Sequence, residues 1–326
     1  MAEEPHPMTM HRNHGWTYTD RIRAETAGQT ALAFYAEHYP HFSEAGWREH
    51  LSHGEITCRN LPVSPEAVLV AGDVLNWNRP PWDEPAVPLD IPILYIDDDI
   101  IAVDKPVGLP VLPGGGFLEN TLFHIIAQRY PAPISPSPVH RLGRGTSGLL
   151  LLARTEQSRR HLCAQFRDST ARRNGELLKL YRALTGPVPD LPDTVEITQP
   201  IGRVPHPRLG SVHAASPDGL PCCSRCRILS RTTAQTLWEI ELVTGRPHQI
   251  RIHLAAIGAP LSGDPLYGPG GTPREDAGIP VALPGDLGYT LRSCSMRFVH
   301  PATGKIMELN APIPDNLLGP GDATPE

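Results

Sequence analysis

HRLGRGTSGLLLLART, residues 140–155, joins a glycine-rich loop to an unbroken apolar run and then to a helix start. The run Leu149–Ala153 has no polar alternation, which predicts a short strand buried on both faces. Thr155 stands as N-cap for a helix expected over residues 156–166. Downstream, Trp238, Ile240 and Leu242 alternate as in a strand. Residues 248–257 read as a helix with Ile250, Leu254 and Ile257 as its apolar stripe and Gly258 as its stop. Upstream, residues 93–96 and 100–103 flank Asp97-Asp98-Asp99 as a hairpin, and residues 121–129 read as a helix with Asn120 placed to cap it.

Further toward the N-terminus the texture changes. RPPWDEPAVP, residues 79–88, is a proline-rich boundary, and the linker is set at residues 80–90. Residues 15–79 read as a compact α/β unit with helices near 29–38 and 43–53. Ser43 is the expected N-cap of the second helix, Trp47 and Leu51 share one of its faces, and Gly54 ends it. Apolar segments around Ile56 and over residues 68–75 follow, joined by the turn-like Arg59-Asn60. Residues 1–14 and 316–326 are expected to be tails, leaving residues 91–315 as the main domain.

The composition narrows the function classes. At 326 residues and 40% hydrophobic content the chain can bury a large core, while its 37 prolines predict a loop-rich protein rather than a helix bundle. No apolar run reaches the roughly 18 residues of a membrane span, and the acidic start MAEEPHPMTM is unlike a secretory signal. Six cysteines in so long a chain are not a disulfide framework, so a reducing cytoplasm is expected. The formal net charge of −6 is unfavourable for a nucleic-acid binder, but local balance matters more than the sum. Residues 83–104 hold seven acids and no Lys or Arg, whereas residues 154–182 hold eight basic residues against three acids. That basic segment is either a solvated helix face or a contact surface for phosphates.

Four segments carry chemistry by their order: DDDIIAVDKPVGLPV (97–111), HRLGRGTSGLLLLART (140–155), LKLYRALTG (178–186) and TGRPHQIRIHLAAIGAPLSGDPLYG (244–268). Together with the closing FVHPATGKIMELNAPIP they resemble the successive motifs of the RluA-like RNA pseudouridine synthases. The resemblance implies an α+β fold: a catalytic domain on a mixed, largely antiparallel sheet, preceded by a small module similar to the α-L RNA-binding fold. It also implies a reaction without metal or organic cofactor. A uridine is flipped from structured RNA, its glycosidic bond is broken, the base turns, and the sugar is rejoined at a ring carbon. Flipping exposes atoms that stacking hides, and breaking the bond calls for a carboxylate at the sugar. In the family that carboxylate is an aspartate directly after His-Arg-Leu; here the position is Gly143.

By the same resemblance Tyr181 lies against the flipped base, Arg251 is the arginine that pairs with the absent aspartate, and Arg141 fills the gap left by the base. The RNA-facing set is His140, Arg141, Arg144, Thr146, Lys105, Arg246, His248 and Gln249. With the aspartate gone, Arg251 needs another partner if it is buried, whether a carboxylate, water or an RNA phosphate. Gly143 and Gly145 leave room for backbone or solvent to approach it. The N-terminal unit is not basic, so weak RNA binding is expected of it alone.

Competing readings are poorer. Ser147 beside His140 lacks the G-x-S-x-G elbow of a hydrolase. His248 and His253 are five apart on a helix and do not share a face, and Cys223 and Cys226 form a single C-x-x-C on an expected strand, so no metal site is expected. Two functions remain: a working synthase on structured RNA, with ribosomal RNA ahead of transfer RNA, or a non-catalytic RNA-binding relative in ribosome assembly. The protein is expected to be a cytoplasmic monomer.

Overall fold

A computed structural model describes residues 11–132, 136–172, 176–274 and 282–322, with the side chains of 170–172 left aside. Its contacts divide the chain into an N-terminal unit ending at Pro85 and a larger unit from Ala86 onward.

The N-terminal unit holds β1 (His11–Arg12), β2 (Trp16–Arg21), α1 (Ala31–His38), α2 (Glu44–Ser52), β3 (Ile56–Cys58), β4 (Leu61–Pro62), β5 (Val74–Arg79) and β6 (Asp83–Glu84). The four strands β2, β5, β3 and β4 form a sheet in that order, and β1 pairs with β6. Ser43 caps α2 as expected, its hydroxyl accepting from the Gly46 N–H, and Thr30 caps α1 in the same way. Arg59 and Asn60, both at positive φ, make the turn between β3 and β4. The expected strand at 68–75 is displaced: ladder pairing begins only at Val74 and runs to Arg79. Trp47 is fully buried among Tyr35, Leu51 and Trp77 in this unit's own core.

The larger unit continues with β7 (Ile93–Ile96), β8 (Ile100–Lys105), α3 (Leu122–Arg129), β9 (Ser137–Pro138), β10 (Thr146–Ala153), α4 (Glu156–Arg172), β11 (Leu178–Thr185), β12 (Thr194–Ile197), β13 (Ile201–His206), β14 (Gly210–Ala215), β15 (Ser224–Arg231), β16 (Thr236–Leu242), α5 (Gln249–Ala256), β17 (Leu291–Val299) and β18 (Ile306–Asn310). The main sheet runs β12-β15-β16-β11-β17-β10-β8-β7, with β18 on β17 and β9 on β10. Its pairs are antiparallel except β10 with β17, so the sheet is mixed and largely antiparallel.

The leucine run is explained by β10 lying inside this sheet. Leu150 and Leu152 enter one hydrophobic cluster, and Leu149, Leu151 and Ala153 enter another. Gly148 is required here: its φ is +104°, and a Cβ would strike the Ser293 carbonyl where the parallel pairing with β17 ends. The Asp97–Asp99 turn is stapled as a hairpin, Asp97 Oδ1 accepting from the Asp99 and Ile100 N–H groups at 2.8 Å. Two local expectations shift by a residue or more. The cap of α3 is Thr121, not Asn120, and α4 runs on to Arg172. The C-terminal residues are also not loose where described: Leu317 is buried, and Asp322 pairs with Arg182.

Candidate active site

Tyr181 comes from β11, Arg251 from α5 and Gly143 from the loop before β10, and all three line one open cleft. Arg141, Thr146, Arg246, His248, Gln249 and Tyr289 share its wall. A β-bulge sits at Tyr181: Leu180 pairs with Ser295 but Tyr181 with Ser293, so Cys294 is the extra residue. Such a bulge re-aims the neighbouring side chain. Burial pushes the Tyr181 phenol up to about 12, so it is neutral and able to donate at ordinary pH.

Arg251 is buried, not a surface charge on its helix. Its Nε and Nη2 donate to Asp264 Oδ2 and Oδ1, both at 2.7 Å, and its Nη1 donates to the Pro284 carbonyl at 3.1 Å. The guanidinium lies 4.3 Å from the Tyr289 ring and 4.9 Å from the Tyr267 ring. Burial pulls its pKa down, but the Asp264 pair outweighs that and the net shift is upward. The partner for Arg251 is therefore a protein carboxylate thirteen residues along, in the GDPLYG segment of the fourth motif. Asp264 is itself saturated, because Oδ1 also accepts from the Leu266 and Tyr267 N–H groups. It does not line the cleft, and no carboxylate does among the described residues.

The room beside buried Gly145 is taken by the Tyr289 side chain, whereas Gly143 is exposed with the Tyr289 hydroxyl at its edge. A Cβ at Gly143 would sit 3.2 Å from the Tyr289 hydroxyl, and one at Gly145 only 2.8 Å from the Tyr289 ring. Neither glycine has positive φ, so the demand is for space rather than conformation. The Thr146 N–H closes the turn on the Gly143 carbonyl at 3.0 Å.

The remaining expected residues divide into two groups. Arg141 is exposed and lines the cleft with the partly buried Arg246. His248 takes a left-handed backbone (φ 55°) at the start of α5 and bonds Tyr267 through Nδ1 at 2.8 Å. Gln249 also lines the cleft, but its amide is committed: Nε2 donates to Cys223 O and Ser224 Oγ, and Oε1 accepts from Thr244 and Arg246.

His140, Lys105 and Arg144 do not line the cleft. His140 accepts the Leu151 N–H at Nε2 and stacks on Phe166, and burial holds it neutral, with its pKa lowered to about 3. Lys105 is fully buried, its ammonium on the Pro106 and Leu109 carbonyls at 2.8 Å. Burial, then the Arg144 charge, brings it down to about 7. Arg144 lies over the Phe117 ring at 5.3 Å.

The basic segment is turned inward more than charge alone suggested. Lys179 and Arg182 are buried, Arg159 and Arg160 pair with Glu156, and Arg154 bonds the Asp97 carbonyl. Arg167 is exposed, while Arg173 and the Arg172 side chain lie outside the described residues. Two site residues escaped the sequence reading: Tyr289, which falls between the recognised motifs, and Asp264, which lies inside one without any spacing signal.

The mixed, largely antiparallel sheet thus carries an open cleft lined by a tyrosine and an arginine from separate motifs. Residues 99–256 match the family model described as RNA pseudouridylate synthase. An uncharacterized RNA pseudouridine synthase of Synechocystis sp. is 46% identical over 89% of this chain and 96% of its own length. Ribosomal large subunit pseudouridine synthase D of Neisseria meningitidis is 32% identical over 91% of this chain and 79% of its own. Among solved structures, human RNA Pseudouridylate Synthase Domain Containing 4 shares the fold, with a TM-score of 0.51 at 22% identity over 69% of this chain and 89% of its own. The chain belongs to the RNA pseudouridine synthases, a family of isomerases. No described helix is long and apolar enough to cross a membrane.

Proposed function

We propose that the chain isomerises a flipped uridine of structured RNA to pseudouridine, with large-subunit ribosomal RNA as the favoured substrate. The observation that supports this most is the convergence of Tyr181, Arg251 and Gly143, from three separated motifs, on one cleft. The neutral phenol lies against the base as a hydrogen-bond donor, Arg141 takes the vacated place in the stack, and Arg246 meets phosphate at the rim. The relative named for the ribosomal large subunit supports the choice of RNA. The N-terminal unit serves as an RNA-docking module, and the protein acts as a cytoplasmic monomer.

Breaking the C1′–N1 bond calls for a carboxylate at the sugar. On this reading the acid is Asp264, held one guanidinium behind the cleft, and substrate binding must loosen its pair with Arg251. A specific observation favours a second reading, a non-catalytic RNA-binding relative: Asp264 is saturated and no described carboxylate lines the cleft. Mapping pseudouridines in total RNA with and without the gene separates the two. One site lost on deletion, restored by the parent gene but not by Tyr181→Phe, supports the enzyme. An unchanged map, together with retained RNA binding by the purified protein, supports the binder.

A further inference from the structure

We propose that Gly143 and Tyr289 are a matched pair: the Tyr289 hydroxyl occupies the place of a side chain at position 143. Tyr289 thereby decides which group the cleft presents at the turn before β10. The proposal rests on the reading of this cleft as the nucleotide site.

Three observations carry it. Apart from Gly143 and its two chain neighbours, the described residues place only two heavy atoms within 4 Å of a Cβ built at Gly143, the Tyr289 hydroxyl at 3.2 Å and Thr146 Oγ1 at 3.4 Å. These two hydroxyls are 3.5 Å apart, so the phenol oxygen is seated over the turn rather than swung away from it. The ring has little freedom to retreat, since Tyr289 is 5% exposed, the Arg251 guanidinium lies 4.3 Å from the ring centroid, and the space beside it is the bare backbone of Gly145. A contact of 3.2 Å from Cβ to oxygen forces a neighbour to move, and a close-packed ring moves at a cost. Removing one oxygen from Tyr289 opens position 143 and leaves the ring in place. Position 145 differs, because its Cβ would meet ring carbons that a phenylalanine retains.

A double-mutant cycle on the intact chain tests the pairing. Gly143→Asp, Tyr289→Phe and the combination are compared with the parent by thermal midpoint and by pseudouridine formation on a uridine-containing RNA stem-loop. The expected result is a midpoint loss of about 3 °C or more in Gly143→Asp, most of it recovered when Tyr289→Phe is added. Product formation by the double variant should exceed that of Gly143→Asp at least about tenfold. Gly145→Ala, whose Cβ would meet ring carbons at 2.8 and 2.9 Å as well as the hydroxyl at 3.0 Å, should recover only a minor part of its loss on adding Tyr289→Phe. Strictly additive midpoints, or a Gly143→Asp variant as stable as its parent, would overturn the pairing. Coupled midpoints with no product from any variant would instead remove the synthase reading and leave the pairing standing.

Discussion

Tyr181 and Asp264 are both buried, one in the wall of the cleft and the other behind Arg251. The phenol is kept protonated by burial, so its use is as a donor or as the carrier of one proton. Tyr181→Phe keeps the ring and removes that proton, and a loss of about 100-fold or more in product formation is expected, with an unchanged circular dichroism spectrum. Asp264 neutralises Arg251 in a pair whose side chains are 0% and 2% exposed. Asp264→Asn leaves a buried cation and should cost about 3–5 kcal/mol in urea unfolding. A loss under about 1 kcal/mol would mean that the Pro284 carbonyl and water satisfy Arg251 unaided. The motif around Arg251 was legible in the sequence. Its partner was not, because any of many acids could fold against a guanidinium.

At the scale of elements, the loops of the site are tied to strands and helices by neutral histidines. His140 holds the loop before β10, His248 opens α5, and His253 within α5 bonds Ser224 Oγ at 3.0 Å. Burial lowers all three, to about 3, 3 and 4. Their folded values lie below the unfolded value near 6.5, so on acidification the unfolded chain takes up protons that the folded one refuses. The stability is fully present above about pH 6.5 and drains as pH falls toward 4, by up to about tenfold in the folding equilibrium per histidine per pH unit. Urea midpoints at pH 7.5, 6 and 5 should fall in that order, and a flat profile would refute the assignment. The parallel pairing of β10 with β17 has its own test. Gly148→Ala adds a Cβ at positive φ against the Ser293 carbonyl and should destabilise by about 3 kcal/mol. The leucine run announced a buried strand, whereas its parallel neighbour, 145 residues along the chain at the Thr146–Leu291 pair, carried no local mark.

For the molecule as a whole, the net charge of −6 means that RNA must be held by local cations rather than by a broadly positive surface. Part of the supply is spent within the fold, since Lys179 and Arg182 are buried and Arg154 bonds the Asp97 carbonyl, while Arg159, Arg160 and Arg167 stay exposed. Arg141 is exposed and lines the cleft, which makes it the cation to test for RNA contact. Arg141→Ala should weaken stem-loop binding and lower the slope of log affinity against log salt by about 1 if it meets phosphate. An unchanged slope with weaker binding would assign it to the stack instead. The two units divide near Pro85, and each buries its own core.

Periodicity, caps and breakers act over a few residues, and so the leucine strand, the two N-terminal helices, the Asp-rich hairpin and the order of the motifs could all be read directly from the letters. The sequence also exposed the glycine at position 143, because its neighbours fixed the register. Only the folded chain could show what stands beside that glycine and what answers Arg251. Both answers are contacts between side chains brought together by packing: Tyr289 lies 146 positions beyond Gly143, and nothing in the local chain encodes which ring or carboxylate arrives there. Close packing resolves what periodicity leaves open, since a buried charge and an empty volume each admit few occupants once the backbone is set.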